Sequence, residues 1–270
     1  MNARVELLDH GYCELIETWG TEERIVESAR MSTGKGFLGW GVEDTCATCD
    51  GTGTGAKAFG HGPGSLCPMC RGKRVAINTP GDEKLLRFLY ENAHATPFEM
   101  AGATFEVQAP IMVFREWHRH RVPFGYNELS ARYTPLPDVN YVPTIERVVE
   151  GARLAGGNKQ AQAVGGAIID DASALEWLDA LIAVYAHAER VYQDGLRRGV
   201  PKELARLPVP VGRYSRMRAT GNLRGWLSFL KLREAPGAQL EIRVFANAVH
   251  KTLGTSFPRT MALFEEGAKR

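Results

Sequence analysis

Long apolar segments are missing from this sequence of 270 residues, and so is a large surplus of charge of either sign. No apolar run approaches the ~18 residues of a membrane-spanning helix. The N-terminal residues also lack the basic and then apolar pattern of a signal peptide. We therefore expect a cytoplasmic protein without a membrane partner. The formal net charge of +2 gives no global argument for nucleic acid as a partner, so an anion site must come from local clustering of cations.

Cysteine is also scarce, with five residues in the chain. Four of them crowd into residues 46–70, which is typical of a metal site rather than of the disulfide framework of a secreted protein. Hydrophobic residues make up 44% of the chain and charged residues 24%, which excludes a wholly disordered or fibrous protein. A chain of this length buries roughly three-quarters of its unfolded surface, enough for one large or two small domains.

The spacing of apolar residues predicts a mixture of helices and strands. An alternating start at 5–16 is followed by a helix over 21–31, capped by Thr21. Further helices are predicted for 82–93, 111–121 and 171–197 and from Asn222 and Gln239, with strands over 102–110 and 213–219. The predicted buried face of the longest helix consists of Leu175, Leu178, Ile182, Tyr185, Tyr192 and Leu196. Long helices after a hairpin or meander indicate an α+β fold.

Two segments interrupt this order. Residues 33–81 are dense in glycine and have no helical period, so they are interpreted as an inserted loop or small module, with 42–75 as its zinc-binding part. Residues 151–167 are rich in glycine, alanine and glutamine and are interpreted as a flexible connection or a weak helix.

Four cysteines form two Cys-x-x-Cys pairs with 17 residues between them, and each pair is followed by glycine: Cys46, Cys49, Cys67 and Cys70. This spacing is typical of a four-thiolate zinc site, and it resembles the zinc modules of DnaJ-type chaperones. Two disulfides, a redox pair or an iron–sulfur cluster are the alternatives. Because four sulfurs leave zinc no open position, we expect a structural Zn²⁺ that holds a loop or a partner.

Cations outnumber acids in two segments. Residues 115–133 contain four arginines and two histidines against Glu116 and Glu128. Residues 204–233 contain no acid but seven cations: Arg206, Arg213, Arg216, Arg218, Arg224, Lys231 and Arg233. Apolar residues alternate with the cations of the second segment, which limits how many of them can be solvated. Several must therefore meet phosphate or carboxylate, and nucleic acid, nucleotides, folates and flavins all remain candidates.

Together these residues resemble the flavin-dependent thymidylate synthases (ThyX), whose signature is Arg-His-Arg, seven residues and then Ser. The corresponding residues here are Arg119, His120, Arg121 and Ser130. The match continues in the family's order through ARMS at 29–32, HATPFE at 94–99, ELAR at 203–206, NLR at 222–224 and LR at 232–233. The resemblance implies a single ThyX-like catalytic domain over 1–270, an α+β mixture of helix and sheet that carries the inserted four-cysteine zinc module.

The same resemblance implies a homotetramer that binds FAD between its subunits and methylates C5 of dUMP. It implies 5,10-methylenetetrahydrofolate as the carbon donor and NADPH as the reductant of the flavin. One alternative is a related flavin- and folate-dependent methylase or hydroxymethylase that acts on UMP or dCMP. A second is a zinc-containing nucleic-acid-binding protein on an inactive scaffold of the same family.

Site residues follow from the resemblance position by position. The implied flavin contacts are Ser32, His94, Thr96, Glu99, Arg119, His120, Arg121, Glu128, Asn222, Arg224 and Ser228. The implied nucleotide contacts are Glu116, Arg119, Glu128, Leu129, Ser130, Ala131, Arg132, Arg206 and Arg233. Arg206 and Arg233 are implied to arrive from a neighbouring subunit.

Two of these residues are implied to be catalytic. Arg233 would stabilise negative charge on the deprotonated N3 of the pyrimidine, which makes C5 more nucleophilic. Ser130 would polarise or position the base rather than act as a covalent nucleophile. Flavin chemistry needs no cysteine nucleophile, and Cys13, which lies in an apolar stretch, is predicted to be a buried core thiol.

The sequence departs from the family pattern at two further points besides the cysteine insertion. Eight residues rather than seven separate Arg121 from Ser130, so the geometry of this loop is altered. Glu116 stands where the family usually carries Gln, and an ionised carboxylate repels phosphate but accepts hydrogen bonds from a hydroxyl. This exchange motivates the alternative nucleotides UMP and dCMP and the alternative hydroxymethyl product.

Overall fold

The computed structural model describes residues 4–41, 43–46, 48–54, 65–73, 75–77, 81–155 and 169–268. The chain divides into two compact units. Unit 1 consists of Met1–Trp19 and Gly102–Ser256, and unit 2 consists of Gly20–Ala101 and Phe257–Arg270. The prediction of one catalytic domain over 1–270 therefore stays a prediction.

Parts of the two predicted interruptions lie outside the described residues. For the zinc-binding module these parts are residues 42, 47, 55–64 and 74, and for the predicted connection they are residues 156–167. The first residues of that connection, 151–155, are helical.

Three of the described strands have nine residues each, and the others have three or four. In chain order they are β1 (Arg4–Leu7), β2 (Gly11–Trp19), β3 (Glu43–Thr45), β4 (Val75–Ile77), β5 (Gly102–Pro110), β6 (Gly125–Glu128) and β7 (Tyr214–Asn222). The described helices are α1 (Glu22–Arg30), α2 (Glu83–Glu91), α3 (Ile111–Trp117), α4 (Ile145–Ala155), α5 (Asp171–Arg197), α6 (Lys202–Ala205), α7 (Leu223–Arg233), α8 (Leu240–Ser256) and α9 (Pro258–Ala268). None of these helices is both long and apolar enough to cross a bilayer.

Unit 1 is built on an antiparallel sheet in which five described strands follow the spatial order β1-β2-β5-β7-β6. The central strand β5 pairs with β7 over its whole length, with Phe105 opposite Ala219 and Val107 opposite Met217. These four side chains are buried. The alternation of apolar residues predicted for 102–110 is confirmed, because a half-buried strand alternates its faces with a period of two.

One face of this sheet is covered by α3, α7 and α8. Trp117, Trp226, Phe229 and Phe245 contribute large side chains that are fully buried. The rings of Trp117 and Phe229 lie 4.7 Å apart, and the indole nitrogen of Trp226 donates a 3.0 Å hydrogen bond to the carbonyl of Ala103. Offset aromatic packing of this kind adds to the free energy of area burial. The helices that present the signature segments therefore rest on a rigid core.

The predicted helix over 111–121 ends earlier, at Trp117. The amides of Arg119 and His120 donate to the carbonyls three residues back, in tight turns that leave the helix. Arg119, His120 and Arg121 are therefore presented by a loop rather than by one helix.

The long helix α5 has the predicted bounds and is capped by Asp170, whose carboxylate accepts a 2.8 Å hydrogen bond from the amide of Ser173. Its predicted buried face is only partly correct. Leu178 and Tyr192 are buried, whereas Leu175 and Ile182 are each 48% exposed. In the described chain α5 packs mainly on α4 and α6, so a narrower stripe of the helix is covered than its apolar pattern suggests.

Unit 2 packs α1 and α2 with α9. Thr21 caps α1 as predicted, accepting a hydrogen bond from the amide of Arg24. The fully buried carboxylate of Asp82 accepts hydrogen bonds from the guanidinium of Arg30 and from the amides of Leu38 (2.7 Å) and Gly39 (3.3 Å). The carboxylate of Asp82 therefore links the backbone that precedes the cysteine-containing segment to the residue that follows it.

Candidate functional site

Arg233, the last residue of α7, is held in one orientation by groups from a distant part of the chain. Its Nη1 donates to the carboxylate of Glu116 at 2.7 Å, and its Nη2 donates to the carbonyl of the same residue at 2.9 Å. Its Nε donates to Nε2 of His120 at 2.9 Å. These bonds use three of the five N–H groups of the guanidinium. Burial, and then the neighbouring charge of Arg233, lower the pKa of His120 to about 4, so the imidazole is neutral near pH 7.

This arrangement changes the interpretation of Glu116. From the sequence its carboxylate was expected to repel phosphate or to bind a hydroxyl, but in the structure it forms an ion pair with Arg233. The two side chains are 28% and 18% exposed, so the pair is only partly solvated. Arg233 was implied to arrive from a neighbouring subunit. Its contacts with Glu116 and His120 are made within one chain, so no second subunit is needed to bring these three residues together.

Ser130 lies in a tight turn that follows β6. Its carbonyl accepts hydrogen bonds from the amides of Tyr133 and Thr134, and its hydroxyl accepts one from the amide of Arg132 at 3.3 Å. The preceding residue, Leu129, donates its amide to the carbonyl of Arg216 on β7 at 2.8 Å. The described bonds of Ser130 are thus those of a turn, and they include no general base.

The longer signature loop fits against two glycines that flank the start of α7. A Cβ added at Gly225 would lie 2.4 Å from Cδ of Pro123, and one added at Gly221 would lie 2.6 Å from a ring carbon of Phe124. The ring of Phe124 packs edge-on against that of Trp226 at 4.7 Å. The extra residue is therefore absorbed by close packing of the loop against the first turn of α7.

A cavity of about 350 Å³ opens beside this loop in unit 1. Its lining residues are Ile111, Arg115, Glu128, Leu129, Ala131, Leu136, Arg206, Leu207, Val209, Pro210, Val211 and Ser215. Four of them were implied from the sequence as nucleotide contacts: Glu128, Leu129, Ala131 and Arg206. The volume lies within the range of cavities that hold small molecules.

Arg206 follows α6, which is fastened to the signature segment by two contacts. Nζ of Lys202 donates to the carbonyl of Tyr133 at 2.8 Å, and Glu203 pairs with Arg132 at 3.4 Å. Arg206 was implied to come from a neighbouring subunit. The structure places it in the same cavity as Glu128 of its own chain, and its role toward a neighbouring subunit stays a prediction.

Sequence reasoning missed Arg115 and Ser215 among the residues that line this cavity. Arg115 belongs to the cation-rich segment 115–133, so its charge was a usable signal. Ser215 lies on β7 between arginines at 213 and 216, and no local pattern distinguishes it from other strand serines. Only the fold brings it to the cavity.

Several of the implied flavin residues cluster at the start of α7 and in the loop after α3, both in unit 1. Asn222 caps α7 by accepting a 3.0 Å hydrogen bond from the amide of Gly225. Arg224 on α7 and Arg119 and Arg121 in the loop are exposed. Ser228 is exposed one turn after Arg224. Guanidinium groups presented in this way fit the phosphates of a dinucleotide such as FAD.

The other implied flavin residues lie in unit 2. Ser32 belongs to a single turn after α1, where its hydroxyl donates to the carbonyl of Ala29 at 3.1 Å. The ring of His94 packs edge-on against Phe88 at 5.3 Å. Thr96 and Glu99 occupy the short 3₁₀ helix Thr96–Met100.

The four clustered cysteines converge in unit 2, and their sulfur atoms all lie within 4.8 Å of one another. The Sγ atoms of Cys46 and Cys67 are 3.8 Å apart, and those of Cys49 and Cys70 are 3.6 Å apart. Tetrahedral zinc with Zn–S bonds of about 2.3 Å separates its sulfurs by about 3.8 Å, whereas a disulfide needs about 2.05 Å. The donor set and its dimensions therefore fit a zinc ion.

The two Cys-x-x-Cys turns repeat one backbone pattern. Asp50 and Arg71, which follow the second cysteine of each pair, have positive φ, and each is followed by a glycine with positive φ. The amide of Gly53 donates to the sulfur of Cys49 at 3.3 Å. Burial opposes ionisation of Cys49, but this amide and the neighbouring sulfurs lower its pKa to about 7. The turn thus favours the thiolate form that a metal requires.

Cys13 lies apart from this cluster, in β2 of unit 1. It is 2% exposed, and burial raises the pKa of its thiol. The prediction of a buried core thiol is confirmed.

Carboxylates from other elements meet part of the acid-free segment 204–233. The fully buried Arg213 pairs with Glu189 of α5 at 2.5 Å, and Arg218 pairs with Glu106 of β5 at 3.1 Å. The expectation that several cations meet an anion is correct for these two residues and for Arg233, but the anions belong to the same chain. Arg206 differs, since it has no carboxylate partner among the described residues and lines the cavity.

Arginine, glutamate and backbone groups from the signature loop and from the segment around α6 thus surround a cavity large enough for a small molecule such as a nucleotide. A sequence profile described as thymidylate synthase complementing protein matches residues 14–259. The chain therefore belongs to the thymidylate synthase complementing protein family.

Individual relatives agree with this assignment. A flavin-dependent thymidylate synthase of Thermus thermophilus is 32% identical over 97% of this chain and 78% of its own length. Another, from Thermosipho africanus, is 31% identical over 96% of this chain and 92% of its own. The family and the enzyme class predicted from the sequence are confirmed.

Solved structures give the same result for the fold. The UMP/dUMP methylase PolB from Streptomyces cacaoi, bound with 5-Br dUMP, is 28% identical and superposes with a TM-score of 0.70 over 97% of both chains. PolB bound with 5-Br UMP gives a TM-score of 0.67 at 25% identity, again over 97% of both chains. The predicted α+β fold class is confirmed.

Proposed function

We propose that this enzyme methylates C5 of dUMP, with 5,10-methylenetetrahydrofolate as the carbon donor and FAD as its redox cofactor. Membership of the family supports the reaction type. The observation that carries the proposal is the convergence of Arg206 with Glu128 and Leu129 on one cavity, although nearly eighty positions of sequence separate them. Such convergence of one cation-bearing segment on another is what recognition of a phosphorylated ligand requires.

Arg233 would supply the fixed positive charge beside the pyrimidine. A guanidinium directed at the pyrimidine stabilises the negative charge that develops on N3 and its conjugated oxygens, and C5 then becomes the better nucleophile. Glu116 and His120 hold the guanidinium, so little reorganisation is needed during the reaction. Because His120 is neutral, its Nε2 can accept the hydrogen bond from Arg233, and its ring does not repel the guanidinium.

FAD, when bound, supplies the hydride that completes the methyl group, and NADPH is the proposed source of those electrons. On this chain Arg119, Arg121 and Arg224 would hold the cofactor's phosphates, and Asn222 and Ser228 would contact it beside them. His120 and Glu128 complete the proposed flavin contacts of unit 1, and the residues of unit 2 named above stay flavin contacts by the resemblance alone. Ser130, with Arg132 beside it, would position the pyrimidine nucleotide through the turn that it builds.

UMP is the second candidate substrate. PolB is described as acting on both UMP and dUMP, and its similarity to this chain extends over the whole fold. Glu116 stands where the family usually carries Gln, but it gives no separate support for a substrate with a ribose hydroxyl, because its carboxylate is paired with Arg233. Tritium release from C5-labelled dUMP, UMP and dCMP, measured side by side, decides among them. Faster release from UMP than from dUMP overturns the assignment of dUMP.

For the cysteine centre we propose one structural Zn²⁺ per chain, held by Cys46, Cys49, Cys67 and Cys70. The sulfur separations of 3.6 and 3.8 Å and the matching turns support this assignment. Zinc that is closed by four sulfurs has no position for substrate, so the ion stabilises the segment rather than taking part in methylation. Cysteines that are held as thiolates rather than as disulfides fit a reducing compartment, and the proposed location is the cytoplasm.

A homotetramer is the proposed assembly, with α5 as a contact surface between copies of the chain. Trp177, Val184 and Val191 follow one another at intervals of seven residues and are 48%, 59% and 46% exposed. Together with the exposed Leu175 and Ile182 they form an apolar seam on a helix of 27 residues. A seam with this period is the pattern by which helices pair.

Light scattering tests the assembly. Val184→Glu places a charge in the seam and is expected to convert the tetramer to smaller species, whereas the exchange of an exposed polar residue on the same helix, Glu176→Gln, leaves the mass unchanged. An unaltered tetramer in Val184→Glu excludes α5 as the contact surface.

The enzyme itself is tested by colour and by turnover. A yellow protein whose absorbance bleaches with NADPH, and which releases tritium from C5-labelled dUMP only when folate is present, supports the proposal. A colourless preparation that shifts oligonucleotides at physiological salt supports the nucleic-acid-binding alternative instead.

A further inference from the structure

The nucleotide cavity contains a buried hydroxyl that has no partner. Ser215 lines the cavity and is only 2% exposed. No hydrogen bond to its Oγ is formed by any of the described residues. A buried hydroxyl without a partner costs free energy unless a ligand satisfies it, so its position next to a cavity is informative.

The backbone around Ser215 is rigid. The residue lies in β7 opposite Ala109 of β5, inside an uninterrupted run of paired residues. Its neighbour Tyr214 is buried and donates its hydroxyl to Asp9 at 2.5 Å. The strand therefore holds Ser215 in a fixed position at the cavity beside Glu128 and Arg206, and the residue also borders a second cavity that Arg216 lines.

The charges around this hydroxyl identify the kind of ligand. Two guanidiniums, those of Arg115 on α3 and Arg206 after α6, line the cavity together with one carboxylate, that of Glu128. Neither guanidinium has a carboxylate partner among the residues that the structure describes. Two arginines and a hydroxyl donor match a phosphate monoester, which offers several acceptor oxygens and carries up to two negative charges.

We propose that Ser215 and Arg115 complete, with Arg206, the phosphate-binding end of the nucleotide site. This inference rests on the proposed function and adds two residues to it. Ser215 donates its hydroxyl to a phosphate oxygen, and Arg115 and Arg206 bind the same group.

Calorimetry on the FAD-loaded enzyme tests this with two ligands that differ only in the phosphate, dUMP and deoxyuridine. Ser215→Ala is expected to weaken dUMP binding about tenfold, the usual effect of losing a hydrogen bond to a charged group, and to leave deoxyuridine binding unchanged. Arg115→Gln is expected to show the same selectivity. Inorganic phosphate should compete with dUMP, and less effectively in both variants.

Thermal unfolding separates ligand binding from a structural role. Because the hydroxyl of Ser215 has no protein partner, Ser215→Ala without ligand should unfold at the wild-type temperature or above it. Thr260 provides a control, since its side chain is also buried but lies beside Glu22 in unit 2 and does not line this cavity. Thr260→Ala should leave dUMP binding unchanged.

Equal weakening of dUMP and deoxyuridine in Ser215→Ala assigns the hydroxyl to the sugar or the base and overturns the proposal, as does unchanged dUMP binding. If the wild-type enzyme binds neither dUMP nor UMP, the proposed function fails. Inorganic phosphate then still tests the anion site, because its stabilisation of the wild-type protein against heat must be smaller in Ser215→Ala and Arg115→Gln.

Discussion

The cysteine centre of unit 2 and the arginine site of unit 1 are assembled in different ways. The four sulfur ligands come from 25 consecutive positions, and two copies of one short turn present them. The arginine site draws its residues from 115 to 233, and its charges are placed by strand pairing, helix caps and ion pairs between distant elements. A local motif therefore specifies the first centre, whereas the second depends on the whole of unit 1.

This comparison predicts that damage to one centre leaves the other intact. The largest effect is expected at Arg233. Arg233→Ala removes the fixed cation opposite N3 of the pyrimidine and should lower the turnover of dUMP about 100-fold or more, the usual effect of losing a donor that stabilises a developing anion. Tritium release under saturating substrates measures this, and zinc content should stay at the wild-type level.

Lys231→Ala provides the control for that variant, since Lys231 is an exposed cation of the same helix two positions earlier. Its turnover should match the wild type. Comparable losses in both variants would show that the net charge of α7, rather than the guanidinium held by Glu116, is what matters.

The second prediction concerns the zinc centre. Cys49→Ser removes one of four thiolates, so the zinc content should fall from about one ion per chain toward zero. The KM for dUMP should change little, because the nucleotide cavity is lined by residues of unit 1. Metal analysis and steady-state kinetics of the same preparation measure both.

Cys13→Ala is the matched cysteine control, because Cys13 is buried in unit 1 outside the cluster. It should keep its zinc. A raised KM for dUMP together with the loss of zinc in Cys49→Ser contradicts the independence of the two centres.

A smaller effect is expected at the signature loop. Gly225→Ala places a methyl group 2.4 Å from Pro123, so the loop must shift, and we expect a destabilisation of about 1–3 kcal/mol together with weaker flavin binding. Gly254 on α8 has open space around it, and Gly254→Ala should stabilise the protein by up to about 1 kcal/mol. Chemical denaturation measures both. If Gly225→Ala is as stable as the wild type, or if Gly254→Ala destabilises the protein as much as Gly225→Ala does, the packing argument is contradicted.

The smallest effect is a dependence of stability on pH. His120 has a folded pKa of about 4 against an ordinary value of 6.5, so the unfolded state binds its proton first as the pH falls. The contribution of His120 to the free energy of unfolding is complete above pH 6.5 and is lost as the pH falls toward 4. His120→Gln should therefore lose less stability than the wild type across this window in denaturation at several pH values. Parallel curves for the two proteins exclude this role of His120.

The sequence by itself determined the family, the α+β class, the clustering of the four cysteines and the bounds of α5. Each of these follows from a local pattern, which is the spacing of residues, a capping side chain or a set of short motifs in the family's order. The identity of Cys13 as a core thiol follows in the same way from the apolar residues around it.

Only the tertiary structure decided which cations of 204–233 remain for a ligand, because Glu189, Glu106 and Glu116 reach that segment from elsewhere. It also decided that Ser215 faces a cavity and that part of the apolar face of α5 stays exposed. The physical reason is that charge pairing and burial depend on distances between elements, and a linear pattern does not contain those distances.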